Sequence, residues 1–340
     1  MNSVSKKKPN VYEVAELAGI SIATVSRALN QPHRVAADTR ERVMKAVKEL
    51  DYVPDVEAAA RARSAHTRIA VVSPVYTYPG FASRLRGIVQ ELETIEAEVI
   101  VFHVDTNRLK EKQQYKYFDS LAGSGRYDAI IIMSVPLCDQ YLDRLANTKF
   151  PTVLIETEDP RFPTIQVDHQ YGSKIATSYL IQKGYENIGF IGFDNSQKYA
   201  LDASAIREKG FMEALEEKNL KINHNFIYHC AYGIDSAYET VKNAWKNRKR
   251  PQAIFCASDA SALGVMKAAK ELKISIPKDL AVVGFDDIEM ADYMNLTTIR
   301  NPLESTGRAA GEMIKALLGK SPVATRKLLL DLELVERQTA

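Results

Sequence analysis

Cysteine is scarce in this sequence, with only Cys138, Cys230 and Cys256 among 340 residues. Because they are odd in number, far apart and embedded in apolar stretches, they exclude a disulfide framework and a CxxC metal site and predict buried thiols. Long hydrophobic runs are also absent, since no stretch approaches the roughly 18 apolar residues of a membrane-spanning helix. The basic start Lys6–Lys8 is followed by Pro9 rather than by an apolar signal core. These absences predict a protein that stays in the cytoplasm.

Enzyme motifs are missing as well. The sequence contains no GxxxxGKS/T loop, GxGxxG loop, GxSxG elbow or HExxH helix, and its six histidines are mostly single. The sequence therefore predicts no enzyme activity, no cofactor and no metal site. Glycine and proline, at 16 and 13 residues, are present in ordinary amounts, and 46% of the chain is hydrophobic, which excludes collagen-like and disordered classes.

The net charge of +2 is distributed unevenly along the chain. Residues 1–68 carry 12 Lys and Arg against 8 Asp and Glu, a net of +4, which leaves a net of −2 for the remainder. A small basic head on a slightly acidic body indicates that the head alone contacts nucleic acid, although four surplus charges also fit an ordinary solvated surface.

From Arg68 onward, short apolar runs alternate with helical patterns. The runs show no period-2 alternation, which is typical of parallel strands buried on both faces. At about 270 residues, the pattern is too long for one simple sheet and predicts two doubly wound α/β subdomains with a cleft between them. The runs are RIAVVSPV at 68–75, EVIVFHV at 98–104, DAIIIMSV at 128–135, TVLIE at 152–156, TIQVD at 164–168, NIGFIGF at 187–193, AIFCASD at 253–259 and LAVVGFDD at 280–287.

Residues 10–50 show helical periodicity and no strand pattern. Asn10 and Glu13 have the spacing of a capping box, and apolar residues then recur on one helical face until Gly19. The sequence predicts that this first helix begins after Asn10 and ends at Gly19.

Two further helices are predicted in the same region. Ser21 is placed to cap a second helix that runs to about Asn30, and a third is expected from about Asp38 to Leu50. Two short helices joined by a turn and braced by a third form a helix-turn-helix, whose second helix fits the major groove of DNA. An ordinary three-helix bundle is the alternative.

Residues 51–68 connect head and body. Pro54 breaks the preceding helix, and the following DVEAAARA has high helix propensity but too few residues to be stable alone in water. This segment is therefore expected to fold only when a partner holds it.

Together these segments resemble the lactose-repressor (LacI/GalR) family of bacterial transcription regulators over nearly the whole chain. The stretch NVYEVAELAGISIATVSRALN, followed by VAADTRERVMKAVKELDYVP, resembles the highly specific helix-turn-helix signature of that family almost position for position. The body is similar at VVSP, at Arg207-x-x-Gly210-Phe211, at SDASALGVMKAAKELKISIPKDLAVVGFDD and at LTTIRNPLESTGRAAGEM, and LELVER resembles the closing strand of the family.

The resemblance implies a dimeric repressor whose heads bind an inverted-repeat operator in double-stranded DNA. A periplasmic-binding-protein-like body would hold a small effector, a sugar or related metabolite, between its two subdomains. Only residues 336–340 follow LELV, whereas tetrameric members carry an extra leucine-rich helix there, so a dimer is expected. The implied domains are a head at 1–52, a hinge at 53–67 and a body at 68–340, with an N-subdomain of about 68–163 and 293–325 and a C-subdomain of about 164–292 and 326–340.

By the same resemblance, the second helix carries most of the residues that contact DNA. Ile22, Ala23 and Arg27 are the implied base readers, while Thr24, Ser26 and Asn30 face the phosphate backbone. Arg27 can pair with O6 and N7 of guanine, whereas Ile22 and Ala23 have no donors and are expected to touch thymine methyl groups or to exclude water. A solvated charge at Arg27 and a helix contact at Ile22 are the alternatives. The full implied set is Val11, Tyr12, Ser21, Ile22, Ala23, Thr24, Ser26, Arg27, Asn30 and Arg61.

The hinge departs from the family at two positions. Arg61 stands where most members carry a leucine that wedges into the minor groove, and Asp55 stands where asparagine is usual. A charged side chain cannot act as an apolar wedge, but arginine does enter narrow minor grooves electrostatically. Arg61 is therefore expected to read an A·T-rich centre without a full kink, with a phosphate contact or a locally shifted hinge as alternatives.

Carboxylates follow several predicted strands, where parallel-sheet proteins bind their ligands. Asp286 follows LAVVGF, Asp259 follows AIFCAS and Glu156 ends TVLIE. Carboxylates beside aromatic rings suit polyol ligands, because they accept hydrogen bonds from hydroxyl groups while the ring covers an apolar face. A carboxylate after a strand is also a common helix N-cap, which is the role expected of Asp259. The resemblance implies an effector shell of Tyr78, Phe81, Glu156, Arg207, Tyr232, Ser258 and Asp286, with Asn301 nearby.

This shell also departs from the family. Gly80 stands where an aromatic residue is common, Ser258 where asparagine is frequent and Glu156 where aspartate is. These exchanges predict a widened or reshaped pocket. Tyr232 has the alternative role of packing a loop.

Two other classes of protein share the pattern of the body. A solute-binding protein of a transporter needs an export signal and no helix-turn-helix, so residues 1–60 argue against it. An α/β enzyme acting on a sugar or nucleotide would be favoured only by turnover of a ligand, because no catalytic motif is present.

Overall fold

The computed structural model describes two separate units, one within residues 1–66 and the other within 67–340. The expected hinge, including Asp55 and Arg61, lies outside the described residues except for Thr67. The described residues are 10–30, 35–50, 52, 67–74, 78–104, 118, 121–122, 126–135, 137–193, 203–247, 250–321, 323 and 326–340, without the side chains at positions 23, 26 and 30.

The described head folds as the helices α1 (Val11–Ala18), α2 (Ile22–Asn30) and α3 (Ala37–Glu49). The predicted capping box of α1 is confirmed, since Asn10 Oδ1 accepts from the N–H of Glu13 at 3.1 Å and Glu13 Oε2 accepts from the N–H of Asn10 at 2.9 Å. The helix ends at Gly19, whose φ of 59° is a left-handed conformation that glycine adopts without strain.

A small apolar core holds the three helices of the head together. Val14, Val25 and Val43, one from each helix, are fully buried and meet in this core. The guanidinium of Arg42 on α3 donates to the carbonyl oxygen of Gly19 at 3.2 Å and so braces the turn between α1 and α2. Because Val25 faces the core, the opposite side of α2 is left to solvent.

The body contains two β-sheets with apolar clusters on both faces, which confirms the predicted pair of doubly wound subdomains. Sheet 1 comprises β1 (Arg68–Ser73), β2 (Glu98–His103), β3 (Ala129–Met133), β4 (Thr152–Ile155), β5 (Thr164–Val167) and β11 (Lys327–Leu330). Sheet 2 comprises β6 (Ile188–Phe193), β7 (Ile227–Cys230), β8 (Ala253–Cys256), β9 (Ala281–Asp286), β10 (Thr297–Arg300) and β12 (Glu333–Val335).

The helices of the body lie between these strands. They are α4 (Pro79–Glu93), α5 (Asp139–Thr148), α6 (His169–Gln182), α7 (Ala203–Glu217), α8 (Ile234–Ala244), α9 (Asp259–Glu271), α10 (Glu289–Tyr293) and α11 (Leu303–Leu318), with short 3-10 turns at His224–Phe226 and Trp245–Asn247. Sheet 1 has the order β11-β5-β4-β3-β1-β2 with parallel pairs throughout. Sheet 2 has the order β12-β10-β9-β8-β6-β7, in which only β12 runs antiparallel to its neighbour.

The described chain crosses between the sheets after β5, β10 and β11. Subdomain 1 is therefore residues 68–167 and 303–330, and subdomain 2 is residues 169–300 and 333–340. Each crossing lies one strand later than the sequence indicated, with the breaks expected after 163, 292 and 325. Three strands lie in the sheet opposite to the one expected, because the neighbour with which a strand pairs decides its sheet. In sheet 1, β5 pairs with β4 and β11 with β5, and in sheet 2, β10 pairs with β9. An apolar run alone does not encode which sheet it joins.

Close helix packing fixes two arginines that face the junction of the subdomains. A Cβ atom at Gly307 of α11 would lie 1.9 Å from the carbonyl oxygen of Arg84 on α4, so only glycine allows this approach. Likewise, a Cβ atom at Gly210 of α7 would lie 2.3 Å from the carbonyl oxygen of Gln170 on α6. The first contact sets the position of Arg84, and the second brings Arg207 of α7 beside the start of α6.

Candidate functional site

The exposed face of α2 carries the part of the predicted DNA contact set that the structure describes best. Ile22 is 40% exposed, Arg27 is exposed, and Tyr12 on α1 is 67% exposed. Ser21 caps α2 as predicted, because its Oγ accepts from the N–H of Thr24 at 3.2 Å. Val11 is half-buried against the head core. The side chains of Ala23, Ser26 and Asn30, and the whole of Arg61, lie outside the described residues.

Glu156 lies directly after β4 and is buried at the junction of the two subdomains. Its Oε1 is 2.6 Å from Nη2 of Arg84 on α4, and its Oε2 is 3.2 Å from Nε2 of His169, the first residue of α6. Burial raises the pKa of Glu156, but His169 and Arg84 outweigh this effect and lower it to about 2. The carboxylate is therefore charged and joins an arginine of subdomain 1 to a histidine of subdomain 2.

Arg207 on α7 is buried among groups of subdomain 2. Its Nη2 lies 3.1 Å from Nδ1 of His169 and 3.4 Å from Oδ1 of Asp286, and its Nη1 donates to the carbonyl oxygen of Ala257. The guanidinium also stacks over Phe285, with 3.7 Å between its central carbon and the ring centroid. Burial lowers the pKa of Arg207, while the carboxylates of Asp286 and Glu156 oppose that shift. These contacts fix the plane of the guanidinium.

Asp286 ends β9 with φ of 114°, a strained conformation for a residue with a side chain. Besides Arg207, its Oδ1 accepts from Nδ2 of Asn301 at 3.2 Å. Asn301 is 4% exposed, and its own Oδ1 has no hydrogen-bond partner within the described part of the chain. A strained carboxylate beside a buried, unpartnered amide oxygen is typical of a binding site in which a ligand donates a hydrogen bond to that oxygen.

Aromatic side chains of both subdomains meet at the same junction. Tyr78, just before α4, stacks on Tyr232, after β7, with ring centroids 3.8 Å apart. Phe193 of β6 packs against Tyr232 at 4.8 Å, and burial raises the pKa of the Tyr232 hydroxyl. Phe81 is half-buried, with its ring 6.0 Å from the guanidinium carbon of Arg84. The structure thus places both tyrosines of the expected effector shell in one contact.

At the start of α9, Ser258 takes the capping role that the sequence suggested for Asp259. Ser258 is the N-cap, because its Oγ accepts from the N–H of Ser261 at 3.1 Å. Asp259 is fully buried and accepts from the hydroxyl of Thr298 at 2.5 Å and from the N–H of Ile288 at 2.8 Å. The expectation that Asp259 caps the helix is wrong, since its carboxyl group turns to β10 instead. Burial raises the pKa of Asp259 well above its ordinary value, and the nearby Asp286 adds to the shift.

Two residues of the junction, Arg84 and His169, were absent from the residues that the sequence singled out. Arg84 stands four residues before the buried Ile88, so it falls on the apolar stripe of α4. A charge on such a stripe signals a buried partner. His169 stands two residues after the strand run TIQV, close to the strand-end position that marked Asp286 and Glu156. Applying that rule to histidine as well as to carboxylates would have found it.

The described residues contain no helix with the length and apolar character needed to cross a membrane. Over the same ranges, no group of three or more His, Cys, Asp or Glu side chains is arranged to hold a metal ion.

Comparison with known proteins finds a matching family model in each of the two units. The family of bacterial regulatory proteins, lacI family, matches residues 10–55, and the periplasmic binding protein-like domain matches residues 177–340. The chain is 31% identical over 334 residues to the HTH-type transcriptional regulator RegA of Clostridium saccharobutylicum, covering 97% of this chain and 98% of that protein. It is 29% identical to the HTH-type transcriptional repressor PurR of Photobacterium profundum, with the same coverage of both chains.

A solved structure is similar over nearly the full length. The lac repressor dimer bound to operator and the anti-inducer ONPF superposes with a TM-score of 0.70 at 26% identity, covering 98% of this chain and 99% of that chain.

Proposed function

Because the chain belongs to the lacI family of bacterial regulatory proteins, it is a DNA-binding transcription regulator, and we propose that it acts as a dimeric repressor controlled by a small effector bound between its subdomains. The proposal is supported chiefly by a buried polar junction between two subdomains in the same chain as an exposed helix-turn-helix. Since its partner is operator DNA, its place of action is the cytoplasm. Binding, rather than turnover of a ligand, is its activity.

The proposed domains are a DNA-binding head at 1–52, a hinge at 53–67 and an effector-binding body at 68–340. In the head, Arg27 is the proposed principal base reader, because it is exposed and its guanidinium can donate to O6 and N7 of guanine together. Ile22, also exposed, is suited to an apolar contact with a thymine methyl group. Arg61 is proposed to enter the minor groove at the centre of the operator.

The charges of the junction favour a neutral effector. The cations Arg84 and Arg207 are each already paired with a carboxylate, Glu156 and Asp286 respectively. An anionic ligand would find no surplus cation among these four groups and would meet two carboxylates, of which Glu156 is buried and Asp286 is partly buried. A phosphate or carboxylate compound is therefore disfavoured.

Unpartnered polar atoms at the junction suit hydroxyl groups. Asn301 Oδ1 and Arg84 Nε are buried and have no hydrogen-bond partner in the described ranges, and neither does Ser73 Oγ at the end of β1. The first is an acceptor, the second a donor, and a hydroxyl is both. A neutral, polyhydroxylated ring such as a sugar can donate a hydrogen bond to Asn301 Oδ1, accept one from Arg84 Nε and bond Ser73 Oγ in either direction. Its apolar face can pack against Tyr78 or Tyr232.

The test is selection of binding sites from a pool of random duplexes with the purified full-length protein at physiological salt. An inverted repeat is expected, because two heads of a dimer read two half-sites. The protein with Arg27 replaced by alanine is the matched control and should enrich no such repeat. If the wild-type protein also enriches no sequence, the proposal of an operator-binding repressor fails.

A further inference from the structure

His169 lies where the chain first crosses from subdomain 1 to subdomain 2. It is the first residue of α6 and follows Asp168, whose side chain caps the helix by accepting from the N–H of Tyr171 at 2.8 Å. The His169 side chain is 5% exposed and packs toward Phe285, with 6.0 Å between ring centroids. A buried histidine at a crossing between two subdomains is well placed to connect them.

The hydrogen bonds of His169 define which ring nitrogen carries the proton. Arg207 lies next to Nδ1, with its Nε at 3.3 Å and its Nη2 at 3.1 Å, and a guanidinium can only donate. Nδ1 must therefore be the acceptor. Nε2 lies 3.2 Å from Oε2 of Glu156, a carboxylate that can only accept. A neutral imidazole with its proton on Nε2 satisfies both neighbours at once, and no other protonation state does.

This tautomer completes a continuous chain of polar contacts from one subdomain to the other. Arg84 of α4 binds Glu156 after β4, Glu156 accepts from His169, His169 accepts from Arg207, and Arg207 donates to Asp286. We call these five residues the crossover relay. Arg84 and Glu156 belong to subdomain 1, while His169, Arg207 and Asp286 belong to subdomain 2.

We propose that His169 is a positioning residue, which holds the guanidinium of Arg207 with its Nδ1 lone pair while its Nε2–H group is anchored on Glu156 of the other subdomain. The inference rests on the proposed function in that Arg207 and Asp286 face the effector. An effector that shifts Arg207 would change the acceptor environment of His169 and, through it, the contact of Glu156 with Arg84. Binding in the cleft is thereby linked to the relative position of the subdomains.

The relay can be tested without an effector or DNA, by NMR of the full-length protein labelled with 15N in its histidine and arginine side chains. In the wild-type protein, His169 is expected to show a protonated Nε2 and an unprotonated Nδ1 at neutral pH. His169→Gln identifies its signals by their loss, and the exposed His229→Gln is the control that leaves them in place. A proton on Nδ1, or on both nitrogens, would overturn the proposal.

Transmission between the subdomains is tested by Glu156→Gln, which alters a group that makes no hydrogen bond to Arg207, although its charge acts on Arg207 directly. The Arg207 Nε–H signal is expected to move by more than its linewidth, because the anchor of His169 changes. The control is Glu98→Gln, which removes an exposed ion pair with Arg68 in the same subdomain and should leave the signal unchanged. An Arg207 signal that ignores Glu156→Gln contradicts the relay.

The final comparison repeats Glu156→Gln in two backgrounds that replace the histidine. In His169→Leu, which keeps apolar bulk but has no donor or acceptor, the Arg207 signal should respond less, because only the direct effect of the lost Glu156 charge remains. In His169→Gln, whose amide can accept from Arg207 and donate to Glu156, the response should be retained, which separates positioning from simple packing. An equal response in both backgrounds overturns the role of His169. Since no effector enters these measurements, failure to find an effector or operator would count against the proposed function alone.

Discussion

At the scale of residues, the proposed principal base reader is one exposed guanidinium of the head, that of Arg27. Its guanidinium carries donors that match the edge of a guanine base. Arg27 is exposed, whereas Val25 on the same helix is buried in the apolar core of the head. Phosphate contacts add affinity without sequence information. Specificity and affinity should therefore separate when Arg27 is removed.

Replacing Arg27 with alanine should cost about 1–3 kcal/mol of preference for the operator over random DNA in each half-site, because each head of the dimer loses one bidentate contact to a base. Weak, salt-sensitive binding should persist. Fluorescence anisotropy with both duplexes measures the two affinities, and Arg40→Ala on the exposed surface of α3 is the control. Equal losses on operator and random DNA would show that Arg27 contacts only the backbone.

The buried charge of Glu156 makes the stability of the fold depend on pH. The pKa of Glu156 is lowered from 4.5 to about 2, so its ionisation stabilises the folded protein above pH 4.5 and this stabilisation is lost as the pH falls toward 2. Glu156→Gln does not titrate there. The difference in free energy of unfolding between wild type and Glu156→Gln should therefore be constant above pH 5 and shrink as the pH falls below it.

Urea unfolding at a series of pH values measures this difference. Glu98→Gln is the control, since exposed ion pairs contribute less than about 1 kcal/mol. A difference that does not change between pH 5 and pH 2 would mean that Glu156 is not held as a charged group by Arg84 and His169.

At the scale of elements, the sequence predicts what local chemistry determines. The capping box of Asn10 and Glu13 and the cap of Ser21 depend on side chains within three residues, and both form as expected. The strands were recognised from apolar runs because burial on both faces needs such runs. In contrast, the sheet that β5 joins depends on pairing with β4, which no local pattern encodes.

The cap of α9 and the crossover relay, both in the candidate site, likewise depend on residues that are distant in sequence and were not predicted. Ser258 and Asp259 are adjacent and both able to cap, and the choice depends on Thr298, which is distant in sequence. The role of His169 likewise depends on Arg207, supplied by another helix. The family resemblance supplied Arg207 and Asp286, but it did not supply the histidine between the subdomains.

The close contact between α11 and α4 at Gly307 leads to a prediction about stability. A Cβ atom at Gly307 would lie 1.9 Å from the carbonyl oxygen of Arg84, so Gly307→Ala must push α11 away from α4. We expect a loss of about 1–3 kcal/mol in the free energy of unfolding. Gly319→Ala is the matched control, because its nearest contact would be an ordinary 3.4 Å. Equal stability of the two variants by urea denaturation would contradict close packing of these helices.

At the scale of the whole molecule, the proposed effector control requires that the subdomains move and that the proposed hinge transmits the movement to the head. In the proposed hinge, Arg61 stands where the family resemblance places a wedging leucine. An arginine that reads the minor groove electrostatically bends DNA less than an apolar side chain inserted between base steps.

Arg61→Leu should therefore increase the bend of the bound operator. Fluorescence energy transfer between the ends of an operator duplex measures the bend, and Arg63→Leu, two residues further along the same segment, is the control. A bend that is the same in wild type and Arg61→Leu would rule out this account of the hinge.

The three crossings between the sheets also determine the order in which the subdomains can be completed during protein synthesis. Strands β1 to β5 leave the ribosome first, but α11, which packs against α4, and the edge strand β11 follow only after residues 169–300 have been made. The apolar side of α4 formed by Ile88 and Leu92 therefore has no α11 to cover it throughout that interval. Subdomain 1 therefore begins before subdomain 2 and is completed only after most of subdomain 2 has been made, so the nascent chain carries exposed apolar surface during that interval.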